Sequence, residues 1–374
     1  MKSKLKKIMQ MALIVISVLV IGILIFLQHP LFGKNPTGDR LERIKKSKQY
    51  KDGSFQNQSL TPSLTEGVSY TTAIKDMLFS NIEHLKPLDS IPHIKTDLSK
   101  LNTTEDFLVW FGHSSYYMQL EGKSFLVDPV LTDNASPIYG TNISFLGANT
   151  YTTEQIPVID YLIITHDHYD HLDYTSFKNL KEKVAKIICP LGVGSHLEYW
   201  GFNPKNIIEL DWYEGAILEK NIQITSTPSR HFSGRGFTRN NTLWSSYVLK
   251  TAQLNLFLGG DSGYDTHFSE IGSKYGPFDL ALLENGQYDY KWKYIHMFPE
   301  EVVKASADLK SKRFFPIHSS KFKLANHPWK EPLEKVKKAS DSQTETQIIT
   351  PKIGEIVYLN QTNQLFSDWW KNIN

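Results

Sequence analysis

One short stretch of the sequence concentrates side chains that bind metal ions. Residues 161–173 read YLIITHDHYDHLD, so an apolar run leads into a cluster of His166, Asp167, His168, Asp170 and His171. Imidazole nitrogens and carboxylate oxygens are ligands for zinc, and also for manganese or iron. A strand gives such side chains a rigid base, and the loop after it lets them turn to one point. The pattern favours a metal site over a surface histidine run that binds nothing specific.

Further metal ligands are expected at the ends of later strands, because one loop cannot surround two ions. Three residues occupy such positions: His231 follows IQITSTPSR, Asp261 follows LFLGG, and His318 follows FFPI. Taken singly, each would more often be structural, since a strand-end aspartate is commonly a turn cap. Their recurrence after successive strands favours a shared site.

These motifs resemble those of the metallo-β-lactamase superfamily, over about residues 105–335. Within it, the chain resembles the phospholipases D that hydrolyse N-acylphosphatidylethanolamine, and their bacterial relatives. The segments that carry the resemblance are VWFGHSS at 109–115, FLVDPV at 125–130, GGDSGY at 259–264, KYIHMFPEE at 293–301 and IHSSKFKLAN at 317–326. The resemblance implies an α/β fold, the αββα sandwich, with a dinuclear site along one sheet edge.

The same resemblance implies a role for each candidate ligand. One metal ion would be held by His166, His168 and His231, the other by Asp170, His171 and His318, and Asp261 would bridge them. All seven positions carry the expected residue type. The two divalent ions, zinc in preference to manganese or iron, would share a hydroxide that acts as the nucleophile. Asp170 would orient this nucleophile as well as bind metal, and Asp170 and Asp261 are therefore candidate catalytic residues.

Other polar residues near these motifs have two interpretations each. In the phospholipase group, the segment containing His296 lies against the substrate phosphate, so His296 is a candidate catalytic residue; a core or surface histidine is the alternative. Arg230 and Arg235 flank His231 in the sequence, and a surface salt bridge is favoured there over neutralisation of a phosphate. His113 is similar to a buried family histidine, and we expect it to hydrogen-bond behind the ligands.

The start of the chain has the composition of a membrane helix. Residues 8–27 are almost unbroken apolar sequence, and at about 1.5 Å per residue they cover the roughly 30 Å hydrocarbon core of a bilayer. Four lysines precede this run, and no small-residue cleavage site follows it. An uncleaved single-pass anchor is therefore favoured over a cleaved signal peptide or a buried helix. The short basic end favours an extracytoplasmic catalytic domain, although the basic residues between 34 and 48 weaken that inference.

The remaining sequence divides into a connector and one large domain. Residues 1–33 are assigned to the anchor, 34–102 to an extended connector with one helix near 70–79, and 103–374 to the hydrolase domain. Strands are expected at 107–111, 116–120, 124–130, 161–165, 186–189, 222–227, 243–250, 254–258, 280–283 and 314–317, and helices at 174–184 and 299–311. The aromatic tail with Trp369 and Trp370 is expected to dock on the core, with a membrane surface as the alternative.

Composition excludes several classes of protein. Lysine and arginine number 41 against 39 acidic residues, and a formal charge of +2 over 374 residues gives no field for nucleic acid. The single cysteine, Cys189, excludes an internal disulfide and a cysteine-based zinc site. The expected partners are therefore a membrane and a lipid or small-molecule substrate, with no indication of a protein partner.

Four functions remain to be compared. Hydrolysis of a membrane phospholipid phosphodiester is favoured, because a lipid enzyme gains from a membrane anchor. A metal-dependent lactonase, or another ester or amide hydrolase, is the second choice, since the sequence around His318 departs from the animal phospholipases. Diiron oxidoreductases share the fold but typically carry glutamate at the position of His168 and append a flavin domain. A non-catalytic lipid- or metal-binding protein would be expected to lack a ligand, and none is missing.

Overall fold

The computed structural model describes residues 2–343 and 346–374. Over those residues the chain forms eight α-helices and sixteen strands. The helices are α1 (Lys2–Phe26), α2 (Gly38–Ile44), α3 (Tyr70–Phe79), α4 (Tyr174–Leu180), α5 (Gly194–Tyr199), α6 (His267–Tyr275), α7 (Pro299–Asp308) and α8 (Glu331–Gln343). The strands are β1 (Tyr50–Lys51), β2 (Ser54–Phe55), β3 (Phe107–Trp110), β4 (Tyr116–Leu120), β5 (Lys123–Val127), β6 (Ile159–Ile163), β7 (Val184–Pro190), β8 (Ile207–Leu210), β9 (Gly215–Glu219), β10 (Ile222–Thr227), β11 (Ser246–Lys250), β12 (Asn255–Leu258), β13 (Leu280–Glu284), β14 (Arg313–Ile317), β15 (Gln347–Ile348) and β16 (Ile356–Tyr358).

Two seven-stranded sheets form the centre of the molecule. The first has the order β16-β3-β4-β5-β6-β7-β8, and the second β15-β14-β13-β12-β11-β10-β9. In each sheet one half is parallel, from β5 to β8 in the first and from β12 to β15 in the second. Parallel neighbours end at the same edge of a sheet. The loops after β5 and β6 therefore lie at one edge of the first sheet, and the loops after β12 and β14 at one edge of the second.

The alternation of side chains along the strands explains why both faces of each sheet are covered. In β6, Tyr161 and Ile163 face the opposite sheet, whereas Leu162 between them faces outward. The outward neighbours come from helices, among them Phe177 of α4. The second sheet is covered in the same way by α6, α7 and α8. The layers are therefore helix, sheet, sheet and helix, which confirms the expected αββα sandwich.

Most expected elements are present, with shifted ends. The strands at 116–120 and 222–227 and the helix at 70–79 have the predicted bounds. The strand predicted at 124–130 was wrong at its end: it stops at Val127 because Asp128 takes a left-handed backbone conformation, with φ 40°. The helix predicted at 174–184 ends at Leu180, and a short 3-10 turn leads from it into β7.

The N-terminal helix stands apart from the sandwich. Lys2–Phe26 is exposed along its length, with a mean hydropathy of 2.9 over its most apolar window, and by length and composition it could be a membrane anchor or a signal sequence. Residues 34–102 pack on the sandwich, since Ile44, Phe55 and Ile91 are fully buried. The division at residues 33 and 102 remains a prediction.

The aromatic C-terminal tail docks on the core, as expected from the sequence. Trp369 and Trp370 are 5% and 0% exposed and belong to the cluster between the two sheets. The strand β16, which precedes this tail, pairs antiparallel with β3 at the edge of the first sheet.

Candidate metal centre

The loop after β6, residues 166–172, carries the first candidate ligands and is called the metal loop below. His166 and His171 are buried, and His168 is nearly so. Asp167 points elsewhere: its carboxylate accepts hydrogen bonds from the amide of Gly234 (2.7 Å) and the hydroxyl of Thr242 (2.8 Å). Asp167 therefore fixes the loop to its surroundings.

One cluster of candidate ligands combines the metal loop with two later strand ends. His166, His168, His231 and Asp261 each offer an atom, and these atoms lie within 4.8 Å of one another. The Nδ1 atom of His168 is 2.9 Å from Nε2 of His166 and 3.2 Å from Nε2 of His231. Nitrogen atoms that converge in this way need a proton or a cation between them.

A second cluster lies beside the first. It contains Asp170, His171 and His318, together with His113, again within 4.8 Å. Nε2 of His113 is 2.8 Å from the Asp170 carboxylate, and Nε2 of His171 is 3.5 Å from the same oxygen. His113 is thus placed behind Asp170, as the sequence suggested.

Asp261 lies between the two clusters. Its Oδ1 is 3.3 Å from Nε2 of His171 and 3.2 Å from Nδ1 of His318. Its Oδ2 is 3.8 Å from Nε2 of His166 and 3.7 Å from Nε2 of His231. Each carboxylate oxygen therefore faces a different cluster, which is the geometry that a bridging ligand needs.

The charges of the two clusters also suit cations. Burial lowers the pKa of His166, His231 and His318 well below the ordinary value, so these imidazoles are in the neutral form that binds metal. Burial would raise the pKa of Asp261, but the charge of the neighbouring His171 outweighs it and holds that pKa well below its usual range. Two buried carboxylates, Asp170 and Asp261, thus depend on nearby positive charge, which divalent ions would supply.

Unpartnered atoms point to the same conclusion. Within the described residues, four buried side-chain atoms in the two clusters have no hydrogen-bond partner: Nδ1 of His113, Nε2 of His171, Oδ1 of Asp261 and Nε2 of His318. A buried polar atom without a partner is unfavourable unless something else binds it. The residues present therefore fit a pair of divalent ions.

Surrounding groups orient the candidate ligands. Asp128 accepts a hydrogen bond from Nδ1 of His171 (2.8 Å), and its other oxygen accepts from the amide of Thr165 (2.9 Å). Nδ1 of His231 donates to the carbonyl of Ile295 (2.9 Å). Such outer partners fix the tautomer and ring orientation of a ligating histidine.

The backbone around the site is strained. His113, Asp128, Gln287 and His318 all have positive φ, between 40° and 66°. Non-glycine residues rarely adopt this conformation, and they keep it where the surroundings over-determine it. Gln287 is one cause: its amide donates to the carbonyls of His318 (3.4 Å) and Phe322 (3.2 Å).

His296 lies beside both clusters, as a candidate catalytic residue should. Its ring is stacked on His318, with centroids 5.3 Å apart, and is T-shaped to His231 at 5.1 Å. Nδ1 lies 3.4 Å from the carboxylate of Glu284, which leaves Nε2 for the pocket. Burial raises the pKa of Glu284 to about 7 although His296 opposes it. Glu284 was not predicted from the sequence, because a strand-end carboxylate resembles an ordinary turn cap.

Both arginines near His231 have structural partners. The surface salt bridge expected for Arg235 was wrong, because this side chain is buried and binds backbone carbonyls. Arg235 is 4% exposed, and its guanidinium donates to backbone carbonyls. Arg230 is half-buried, donates to Thr61 and lies 3.6 Å from Asp265.

The clusters open into a cavity of about 360 Å³. Its floor carries candidate ligands and His296, and its walls are largely apolar, lined by Leu64, Tyr70, Met77, Phe232, Trp292, Ile295 and Leu324. Tyr70 and Met77 come from α3, which was expected to belong to a connector. This helix therefore contributes a wall of the candidate site.

The chain is similar to several known proteins. The sequence profile described as "Beta-lactamase superfamily domain" matches residues 123–319. An uncharacterized protein of Mycobacterium tuberculosis is 34% identical over 331 residues, covering 87% of this chain and 88% of its own length. N-acyl-phosphatidylethanolamine-hydrolyzing phospholipase D 1 of Caenorhabditis elegans is 32% identical over 272 residues, covering 67% and 75% of the two chains.

A solved structure shares the fold. Igni18, described as a novel metallo hydrolase from Ignicoccus hospitalis, superposes with a TM-score of 0.52 at 22% sequence identity, and the match covers 68% of this chain and 98% of that one.

Proposed function

The chain belongs to the β-lactamase superfamily, whose fold and metal-dependent hydrolase character it shares, and from this premise we propose that it is a membrane-anchored, dinuclear phosphodiesterase of the phospholipase D type. The single observation that carries the proposal is the position of Asp261, with one carboxylate oxygen facing each ligand cluster. The proposed substrates are phospholipids like N-acylphosphatidylethanolamine.

The proposed ligands are the seven residues identified from the sequence. One ion would be held by His166, His168 and His231, the other by Asp170, His171 and His318, with Asp261 shared between them. Nitrogen and oxygen donors without sulfur suit zinc, and manganese or iron(II) as alternatives. When bound, two such ions would lower the pKa of a shared water and polarise a phosphoryl oxygen.

The protein's own side chains would position the reactants. Hydrolysis joins the water oxygen to phosphorus, breaks the bond from phosphorus to the head-group alcohol oxygen, and gives that alcohol the proton that water loses. Asp170 would accept a hydrogen bond from the attacking water. His296, held through Nδ1 by Glu284, would place Nε2 against the phosphate or the departing alcohol.

Three features support a lipid substrate. The cavity walls are largely apolar, with Arg239 as a charged exception, and α3 presents Tyr70 and Met77 to the cavity while these side chains remain 58% and 45% exposed. The apolar helix α1 would keep the protein at a membrane. The relative from C. elegans is described as hydrolysing N-acylphosphatidylethanolamine.

The substrate class is tested by turnover of N-acylphosphatidylethanolamine in mixed micelles, with the full chain in ¹⁸O-water. The proposal predicts phosphatidic acid carrying one ¹⁸O, and release of the N-acylethanolamine. His231→Asn should abolish turnover, whereas His84→Asn, at an exposed residue whose φ of 55° suits asparagine, should leave it unchanged.

Two other results would contradict the proposal. Hydrolysis of a lactone or a simple ester without turnover of phospholipid would favour the second candidate function. If His231→Asn keeps both activities, the metal clusters are excluded as the site of reaction.

A further inference from the structure

Residues 30–34, the juxtamembrane segment, lie against the metal loop although only residues 27–29 separate them from the apolar helix. The side chain of Phe32 contacts Tyr169 of the loop, with ring centroids 6.3 Å apart. The remaining contacts run through two residues outside both segments, Arg235 and His196.

Arg235 connects the two segments directly. Its Nη1 donates to the carbonyls of Asp167 (2.8 Å) and Leu172 (2.7 Å), one near each end of the metal loop. Its Nε and Nη2 donate to the carbonyl of Leu31, at 3.0 and 2.6 Å. Arg235 is buried and lies over the Tyr169 ring, 4.2 Å from its centroid. Without Leu31, two donors of a buried cation would lose their acceptor, which is unfavourable.

His196 makes a second connection. Its Nδ1 accepts a hydrogen bond from the amide of Lys34 (2.9 Å), so its proton is on Nε2. Nε2 lies 3.2 Å from the carboxylate of Asp167 and donates to it. The amide of Lys34 thereby selects the tautomer that binds the metal loop. Nearby, the indole of Trp200 donates to the carbonyl of Pro30 (2.7 Å).

Gly33 makes this approach possible. Its φ of 68° is one that favours glycine, and a Cβ added there would lie 2.0 Å from Nδ1 of His196. Gly38 also has a positive φ, of 56°, but a Cβ there would meet nothing within 4 Å. Both glycines therefore have a positive φ, but only a side chain at residue 33 would collide with His196.

We propose that the juxtamembrane segment is a positioning part of the metal site, holding the metal loop in its ligand-bearing shape through Arg235 and His196. This inference rests on the proposed function in taking that loop as metal-binding. The metal loop is then held by the part of the chain that follows the membrane helix. Detachment of residues 30–34 from Arg235 and His196 would loosen the loop and release metal.

The test compares Gly33→Ala with Gly38→Ala in the full chain in detergent micelles. Two quantities are measured: amide hydrogen exchange over residues 166–172, and zinc affinity by competition with a chelator. We expect faster exchange in Gly33→Ala and a zinc affinity about 10-fold or more below wild type, since loss of outer support typically costs 10–100-fold. Gly38→Ala should match wild type in both. Trp200→Phe should change both quantities in the same direction as Gly33→Ala, to a smaller extent.

Equal behaviour of Gly33→Ala and Gly38→Ala would overturn the proposal. If Gly33→Ala does not fold, Trp200→Phe decides, and wild-type exchange and affinity in that variant would overturn it. If the wild-type chain takes up no zinc, the metal-dependent function fails, and hydrogen exchange alone still decides whether the segment supports the loop.

Discussion

At the level of single residues, His296 and Glu284 form a buried pair of which only the histidine lines the cavity. Glu284 is 1% exposed and accepts a hydrogen bond from the amide of Met297, so its carboxylate is held in place. Its second oxygen lies 3.4 Å from Nδ1 of His296. Glu284 does not reach the pocket, so any effect on the reaction must pass through the histidine.

This dependence predicts non-additive effects of mutation. Glu284→Gln keeps an acceptor for the Met297 amide and removes the charge beside His296, so kcat should fall about 10–100-fold, the range typical of outer partners. In a His296→Ala background the same change should alter kcat less than about twofold, because coupled residues do not add. Initial rates of wild type, the two single variants and the double variant give the double-mutant cycle, and the zinc content of each protein is the control. Full additivity would show that Glu284 acts independently of His296.

The sequence predicted the candidate ligands better than their surroundings. The seven candidate ligands stand out because histidine and aspartate after apolar strands are chemically distinctive and match a family pattern. Asp128, Glu284 and Gln287 were not identified as site residues, because carboxylates and amides at strand ends are common as turn caps. Their roles depend on which strands are neighbours, and one sequence does not give that order.

At the scale of secondary-structure elements, α3 links the polar site to an apolar wall. Tyr70 and Met77 are seven residues apart, so they lie on one face of the helix. That face lines the cavity above the ligands. An acyl chain would pass over it, whereas a short soluble substrate would not need it.

A charge on this face should therefore discriminate between substrates. Met77→Glu should raise KM for a long-chain phospholipid about 10-fold, which is roughly 1.4 kcal/mol, and leave a short-chain phosphodiester nearly unaffected. Thr71→Glu, on the same helix but outside the cavity lining, is the matched control. The measurement is KM and kcat on both substrates for both variants. Equal losses on both substrates would show that α3 supports the fold and does not contact acyl chains.

Elements with strong hydrophobic patterns were predicted, and those fixed by tertiary contacts were not. β4, β10 and α3 have the expected bounds, because each shows a clear apolar or capped segment. The edge strand β16 and the helix α8 were missed. β16 has three residues, and its strand conformation comes from pairing with β3, whereas α8 is rich in lysine and polar residues that give a weak periodicity.

At the scale of the whole molecule, a buried lysine joins distant parts of the chain. Lys321 is 1% exposed, and its Nζ donates to the carbonyl of Val130 (2.7 Å) and to the side chain of Asn149 (3.1 Å). Burial lowers its pKa from 10.5 to about 7. The unfolded chain keeps this lysine protonated up to about its ordinary pKa, so above pH 7 the unfolded state binds more protons than the folded state.

Stability should consequently rise with pH on account of this lysine. Between pH 7 and the ordinary pKa of 10.5, the free energy of unfolding should increase in wild type relative to Lys321→Met. Below pH 7 both states bind the proton, so the difference should level off there. Chemical denaturation at pH 6, 7.5 and 9 (chosen to bracket the folded-state pKa of about 7) measures it. The same pH dependence in both proteins would contradict a depressed pKa.

Metal content tests whether Asp261 bridges two metal ions. The measurement is elemental analysis of the purified full chain after dialysis against buffered zinc, beside Asp261→Asn and Asp279→Asn. Asp279 lies next to β13 at the opposite end of the same sheet, bound to Asn255 and Lys312, and is the matched control. We expect about two zinc ions per chain in wild type and in Asp279→Asn, and a clear loss of zinc in Asp261→Asn. Little zinc in the folded wild type, or unchanged zinc in Asp261→Asn, would contradict this expectation.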